Sequence, residues 1–244
     1  MRRTLAPFHP FLSWSICMGL LGFATFVAVK HGLLAQLLST DTSYISVIIA
    51  SGFLLASLHA GRRAWVVSSE LLFAAQIDTK MTAASRVECD RDGRLHIDGQ
   101  PQKDCWLTIH ASRVAATSGH EPGSRDALYA ALEREISGPQ ENGWLIADMM
   151  VRLGLLGTVV GFIVMLASMN GAQDFDIATL RNMMTEMSAG MRIALFTTLA
   201  GITSGLLLGI QYRIAERGAD ALLSAIAVAT ESKLLPAITR GASE

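Results

Sequence analysis

The chain has 244 residues, 51% of them hydrophobic and only 17% charged, where soluble domains carry about 25% charged residues. With a mean hydropathy of +0.38, that balance points to a polytopic membrane protein. A formal net charge of −1 gives no basis for nucleic-acid binding, and Cys17, Cys89 and Cys105, an odd number without a C-x-x-C pair, imply no disulfide framework.

Arg2 and Arg3 precede an apolar run at residues 11–29. A cleaved signal peptide is the alternative there, but the run exceeds the usual ~7–15-residue signal core. Lys30 and His31 follow it without a small-x-small cleavage site. The run is therefore expected to remain as the first of four membrane spans. The others are residues 44–59, 153–169 and 193–210, near the roughly 17–25 residues that a crossing helix needs. Ser43, Ser46, Ser51, Ser57 and His59 dilute the second, so a surface-lying helix is its alternative.

Basic residues set the orientation. Arg2, Arg3, Arg62, Arg63, Arg213 and Arg217 flank one side of this arrangement. The other side has Lys30, Arg181 and Arg192, the last two diluted by Asp174, Asp176 and Glu186. Cytoplasmic loops carry the Lys/Arg excess, so both termini and the long central loop are expected to be cytoplasmic. Two links, about residues 30–43 and 170–191, then face the opposite compartment, and Arg152 and Arg192 can snorkel at the starts of the last two spans.

Between Arg62 and Gly143 lies the only substantial soluble part. Residues 70–84 read as helical. In "VECDRDGRLHIDGQPQKDCWLTIH" the turn dipeptides Asp92–Gly93 and Asp98–Gly99 sit among alternating residues, which predicts a small β-hairpin. Residues 124–136 return to a helical pattern that Gly138 and Pro139 are expected to end. Beyond the last span, Ala215, Ala219, Leu222, Leu223, Ile226 and Ala229 recur at helical intervals. Leu222, Leu223 and Ile226 give this tail an apolar stripe that one copy is not expected to bury alone, so neighbouring tails should pack together.

No G-x-S-x-G, phosphate-loop or H-E-x-x-H pattern is present, and neither an enzyme nor a cofactor is expected. Cys89, His96, Cys105 and His110 can in principle meet across the hairpin as a zinc site. Their spacing matches no finger, however, so a solvated hairpin without metal is the better reading. The membrane segments say more. In "LGLLGTVVGF", Gly154, Thr158 and Gly161 share one helical face, with Gly157 beside them. In the last span Gly201, Gly205 and Gly209 lie four apart, preceded by Thr197 and Thr198. Small residues of this kind let membrane helices pack closely. The middles of all four spans lack Asp, Glu, Lys and Arg. Threonine does not titrate, so a proton crossing here needs an acid from another chain, and intramembrane carboxylates are the usual relays.

At these residues the sequence resembles the MotA/TolQ/ExbB proton-channel family. "LGLLGTVVGF" is similar to its penultimate membrane helix and "SAGMRIALFTTLAGI" to its last, over residues 153–211, about a quarter of the chain. The resemblance implies a bacterial inner-membrane homopentamer around a dimer of a single-span MotB/TolR/ExbD-type partner. That partner carries the proton-binding aspartate, and ion flow drives rotation. Thr158 and Thr198 match the family's pore-facing threonines, with Thr197 as a third ion-pathway residue. Because the Thr197–Thr198 pair also resembles sodium-driven stators, the ion can be H+ or Na+. Four spans are similar to the flagellar-stator branch. Where the TolQ and ExbB branch has a glutamate, five residues before the last-helix threonine, this chain has Ile193, and the loop lacks the rotor-contacting pattern.

The expected fold class is an all-α polytopic membrane protein with a small β-hairpin. Residues 1–64 form a peripheral helix pair, 65–143 the cytoplasmic insert, 144–211 the pore-forming pair and 212–244 a helical tail. The competing reading is a non-conducting scaffold that uses the same glycine faces. Mid-span threonines favour conduction, since alanine would serve a scaffold as well.

Overall fold

The structure, a computed structural model, describes residues 9–32, 44–83, 87–89, 95–103, 105–117, 123–167, 177–234 and 236. Arg2, Arg3, the Asp92–Gly93 turn, Asp174 and Asp176 lie outside the described residues. The helices are α1 (His9–Lys30), α2 (Ile45–Ala83), α3 (Trp106–Thr117), α4 (Gly123–Ala167) and α5 (Ile177–Ala229), the last followed by a π-helical turn at Thr230–Leu234. Three short strands, β1 (Val87–Cys89), β2 (Leu95–Ile97) and β3 (Gln100–Pro101), lie between α2 and α3. Helices α1, α2, α4 and α5 are long and apolar enough to cross a membrane. The protein is an all-α polytopic membrane protein with a small antiparallel hairpin.

Three helices run further than the sequence pattern suggested. The second span and the helix expected at 70–84 are one element, α2, of 39 residues. Ala56, Ala60, Ala64, Val67, Ala74, Ile77 and Met81 are buried at helical steps, with Leu71 half-buried among them. That stripe passes straight through Arg62 and Arg63, because charge ends a membrane span without ending a helix. Helix α5 starts at Ile177, inside the stretch expected to be a link. Half-buried Met183 and Met187 and buried Gly190 carry its phase back from Ile193.

Helix α4 continues through Gly138 and Pro139, which were expected to stop it. Leu132, Ile136, Gln140, Gly143, Ala147 and Met150 stay on one buried stripe across the proline. Pro139 withholds the N–H that the Glu135 carbonyl would accept, and its ring crowds that turn. The next carbonyl, Ile136, instead accepts a hydrogen bond from Arg63 Nη2 at 2.8 Å. With its amide oriented to donate, Gln140 reaches the Ile136 and Ser137 carbonyls at 2.9 and 2.7 Å. Substitute donors of this kind let a helix carry an internal proline. Arg63 is thus a cap on a damaged turn as well as a basic flank.

The chain divides into two compact units. One comprises Met1–Trp14, Gly61–Glu141 and Arg213–Glu244; the other comprises Ser15–Ala60 and Asn142–Tyr212. The first contains the insert. Its sheet has the order β1-β2-β3, with Glu88 opposite His96 and Ile97 opposite Gln100. Asp98 and Gly99 both adopt positive φ, 49° and 78°, as a two-residue hairpin turn demands. The strand reading fails beyond it, because the alternating "WLTIH" opens α3. There the Trp106 N–H donates to the Glu70 carboxylate at 3.0 Å and the Cys105 N–H to Thr108 Oγ1 at 2.9 Å. Capping of these otherwise orphaned donors favours the helix, and Leu107, His110, Ala111 and Val114 become its buried face. Cys105 and His110 are therefore buried with α3, not solvated on the hairpin.

The same unit buries the tail. Leu222 and Ile226 are 1% and 0% exposed, packed with Ile77, Leu107, Leu132 and Ile136 of the same chain. The expectation that one copy could not cover this stripe is corrected, since the insert supplies the partner surface. The π-helical turn is also tied down. Lys233 pairs with Asp78 and donates to Thr82 Oγ1 at 2.6 Å, and the Tyr129 hydroxyl donates to Glu231 at 3.1 Å. Burial first, then the bond to Glu231, push the Tyr129 phenol up to about 12. His110 lies against Tyr129 with the rings tilted by 48° and their centroids 4.7 Å apart. Burial, followed by the nearby Arg113 charge, holds the His110 imidazole below its ordinary pKa of 6.5.

Two outcomes follow from this packing. Arg63→Met keeps the aliphatic stem and removes the donor to Ile136, so it should cost about 1–3 kcal/mol, read as a lower unfolding temperature in detergent. Adding Pro139→Ala, which restores a regular turn, should recover part of the loss; an unchanged midpoint for Arg63→Met would contradict the capping role. For His110, the unfolded chain takes up its proton first as pH falls. Stability is therefore full above about pH 6.5 and declines below it. His110→Phe should flatten that acid limb in melts recorded between pH 7 and 5, and an unaltered limb would assign the acid sensitivity to other groups.

Candidate functional site

In the second unit, α4 and α5 are packed backbone to backbone. A Cβ on Gly154 would lie 3.0 Å from the Gly201 Cα and from the Thr197 carbonyl. One on Gly201 would lie 2.7 Å from the Gly154 Cα and the Met150 carbonyl. Gly161 meets the Gly190 carbonyl and Ala194 N in the same way, each 2.6 Å from its would-be Cβ. Gly205 faces the Val151 side chain and the Ala147 carbonyl, whereas Gly209 has only an ordinary contact with Trp144 at 3.4 Å. Every one of these contacts lies within one chain. Large apolar side chains point away: Leu155, Val159 and Phe162 on α4 and Leu195, Leu199 and Leu206 on α5 are all more than half exposed. Small residues inside and leucines outside is the arrangement of helices packed in lipid.

The three threonines have different surroundings. Thr197 is fully buried and fills the space left by Gly157. Its hydroxyl donates to its own helix, to Ile193 O at 2.8 Å and Ala194 O at 3.1 Å. Thr198 lies half-buried, donating to Ala194 O at 3.0 Å and, across the crossing, to Gly154 O at 3.3 Å. In an α-helix that Gly154 carbonyl is the acceptor for the N–H of Thr158, so Thr158 and Thr198 stand at one level of the helix pair. The Thr158 hydroxyl donates to Leu155 O at 2.5 Å. Its side chain also lines an open groove of ≈ 490 Å³ with Val159, Phe162, Met165, Met191 and Ala194. Thr158 supplies the one side-chain hydroxyl of that lining.

Sequence reasoning passed over two further features. Gly190, which meets Gly161, stands three residues before Ile193, and its signal was the run of small residues Ser188–Ala189–Gly190. The second feature is a polar tie between α2 and α5. Gln211 Nε2 donates to Ser57 Oγ at 3.0 Å, and the buried Tyr212 hydroxyl donates to Ala56 O at 3.2 Å while lying 3.1 Å from His59 Nδ1. With its single proton given to Ala56, the hydroxyl accepts from His59, which places a proton on Nδ1. Gly143 makes room for the Tyr212 ring, whose Cε1 would stand 2.0 Å from a Cβ there. Ser57 and His59, read as diluting an apolar span, are thus attachment points.

Residues 111–227, just under half of the chain, match the family described as the MotA/TolQ/ExbB proton channel family. The match supports assigning the chain to this family. The matched segment begins in α3 and ends near the end of α5, so it contains the entire α4–α5 crossing. No curated protein and no solved structure matches the chain significantly. That family implies an ion-channel-like membrane subunit of an energy-transducing complex.

The glycine contacts rank the sites for substitution. Gly201→Ala sets a methyl 2.7 Å from backbone atoms that cannot swing aside, so it should cost about 1–3 kcal/mol as an overpacked contact. Gly209→Ala meets only the edge of Trp144 and should be near neutral. Thermal unfolding of both variants in the same detergent measures the difference, and equal midpoints would mean that α4 and α5 do not pack as described.

Proposed function

We propose that the chain is the ion-conducting subunit of a bacterial inner-membrane motor. In this reading five copies surround a dimer of a single-span MotB/TolR/ExbD-type partner, both termini are cytoplasmic, and the ion is a proton. The observation that carries the proposal is the pair Thr158 and Thr198, two hydroxyls at one level of the helix pair, within segments 153–169 and 193–210 that contain no Asp, Glu, Lys or Arg. A carboxylate entering that level from a partner helix would be costly to hold unpaired. A threonine hydroxyl can rotate from its backbone acceptor to donate to the carboxylate, and it can accept from the carboxylic acid through its lone pairs. The same side chain therefore serves both protonation states. Thr197 acts from behind, filling the Gly157 contact that fixes the level of Thr198.

Thr→Val keeps the shape and deletes the hydroxyl, whereas Thr→Ser keeps the hydroxyl. A hydrogen bond to a charged group is worth about 1.5–3 kcal/mol, so valine at either position should lower flux roughly 10- to 100-fold. Serine should retain most of it, with assembly unchanged in both cases. The measurement is ion flux in proteoliposomes holding both partners, under separate proton and sodium gradients. Flux that follows only the sodium gradient would favour a sodium-driven stator. Valine variants that conduct like the wild type would leave the hydroxyls as packing groups and favour the scaffold reading.

A further inference from the structure

The outward stripe of α2 changes character abruptly. Ile48, Leu55 and Leu58 are 53–71% exposed, and one turn beyond Leu58 the stripe continues with exposed Arg62 and then Trp65, itself 54% exposed. Among the described residues Arg62 has no ion pair. Trp65 is held edge-on against Phe11 at 4.8 Å, and Phe11 stacks on Trp14 at 6.0 Å. The Trp14 ring lies on Gly61, where a Cβ would come within 2.3 Å of it. The Phe11 N–H donates to Ser68 Oγ at 3.2 Å, and Pro10 rests against Gly218. This aromatic cluster fixes the start of α1 to α2, while none of the apolar window of α1 is buried.

We infer that Arg62 and Trp65 form a binding site for the phosphate of an anionic phospholipid, seated where the apolar face of α2 ends. Charge and position select the occupant. An exposed guanidinium offers a planar pair of donors that fits a phosphate. The adjoining indole has the amphipathic character that places tryptophan at headgroup level. The exposed leucines one and two turns away need acyl chains over them, so a lipid satisfies both halves of the surface and a free anion only one. A headgroup held here braces Trp65 and, through Phe11 and Trp14, the attachment of α1. The inference does not depend on conduction.

The test uses the full-length protein in a neutral maltoside detergent, titrated with short-chain phosphatidylglycerol while its unfolding midpoint is followed. Phosphatidylglycerol should raise the midpoint and short-chain phosphatidylcholine should not. Since a basic residue near an anionic surface contributes about 1 kcal/mol, Arg62→Gln should need roughly five times more phosphatidylglycerol for the half-maximal shift. Arg62→Lys, which keeps the charge but loses the paired donors, should fall between the two. Arg134→Gln, on an exposed position of α4 nineteen residues before Leu153, controls for general loss of charge and should leave the titration unaltered. Equal effects of the two lipids, or an Arg62→Gln titration that coincides with the wild type, would overturn the site. Inorganic phosphate that reproduces the shift would make it a free-anion site and overturn the lipid assignment.

Discussion

Between Gly154 and Gly201 two helix backbones touch with no side chain in the way, and the membrane unit is arranged around that contact. In lipid, helices gain nothing by hiding leucine from leucine, so association relies on dispersion and weak polar contacts at short range. Glycine is what makes that range accessible. The consequence is an inside-out distribution, in which glycine, alanine and threonine make the close α4–α5 contacts while Leu155, Val159, Phe162, Leu195, Leu199 and Leu206 face outward. The same closeness brings the Thr198 hydroxyl to the Gly154 carbonyl. Packing and polarity thus meet at one level of the helix pair.

The unit that carries the insert follows the opposite rule. Its core joins isoleucine, leucine, methionine and alanine side chains from α2, β2, α3, α4 and α5. Each fully buried isoleucine, leucine or methionine is worth about 1.5–3 kcal/mol when removed from water. With that driving force available, the unit tolerates local defects that it repairs with polar groups. Arg63 and Gln140 serve the turn opened by Pro139, Glu70 caps α3, and Lys233 with Glu231 fastens the final π-helical turn. The three long helices contribute residues to both units, so one chain changes its packing chemistry along a continuous buried stripe.

For an ion-channel-like family member the absence of charge in mid-span is itself a constraint. The crossing can offer hydroxyls and carbonyls but no group that binds a proton at neutral pH, which is why the proposed mechanism draws its acid from a second chain. What this chain supplies is a level fixed by backbone contacts that cannot slide by an ångström without collision. The tie from Ser57, Ala56 and His59 to Gln211 and Tyr212 adds a second constraint, holding α2 against α5 through polar bonds that lipid cannot replace.

Legible in the residues alone were the membrane class, four segments long and apolar enough to cross, the Asp98–Gly99 hairpin turn and the family resemblance. These depend on composition, local turn chemistry and short spacings, which act over a few residues. Where helices stop was not determined locally. Arg62 and Arg63 marked the end of a span, and Pro139 the end of a helix, yet both helices continue because buried stripes and donors from elsewhere in the fold outweigh the local signal. Helix α3 was hidden because "WLTIH" alternates well enough for a strand until Glu70, 36 residues away, caps it. The tail stripe could be read as apolar, but not as covered by its own insert. The threonines show the limit most clearly. Thr197 and Thr198 are neighbours in the chain, but about 100° apart around the helix, so one is sealed against Gly157 and the other reaches across to Gly154. Only the position of α4 beside α5 decided which was which.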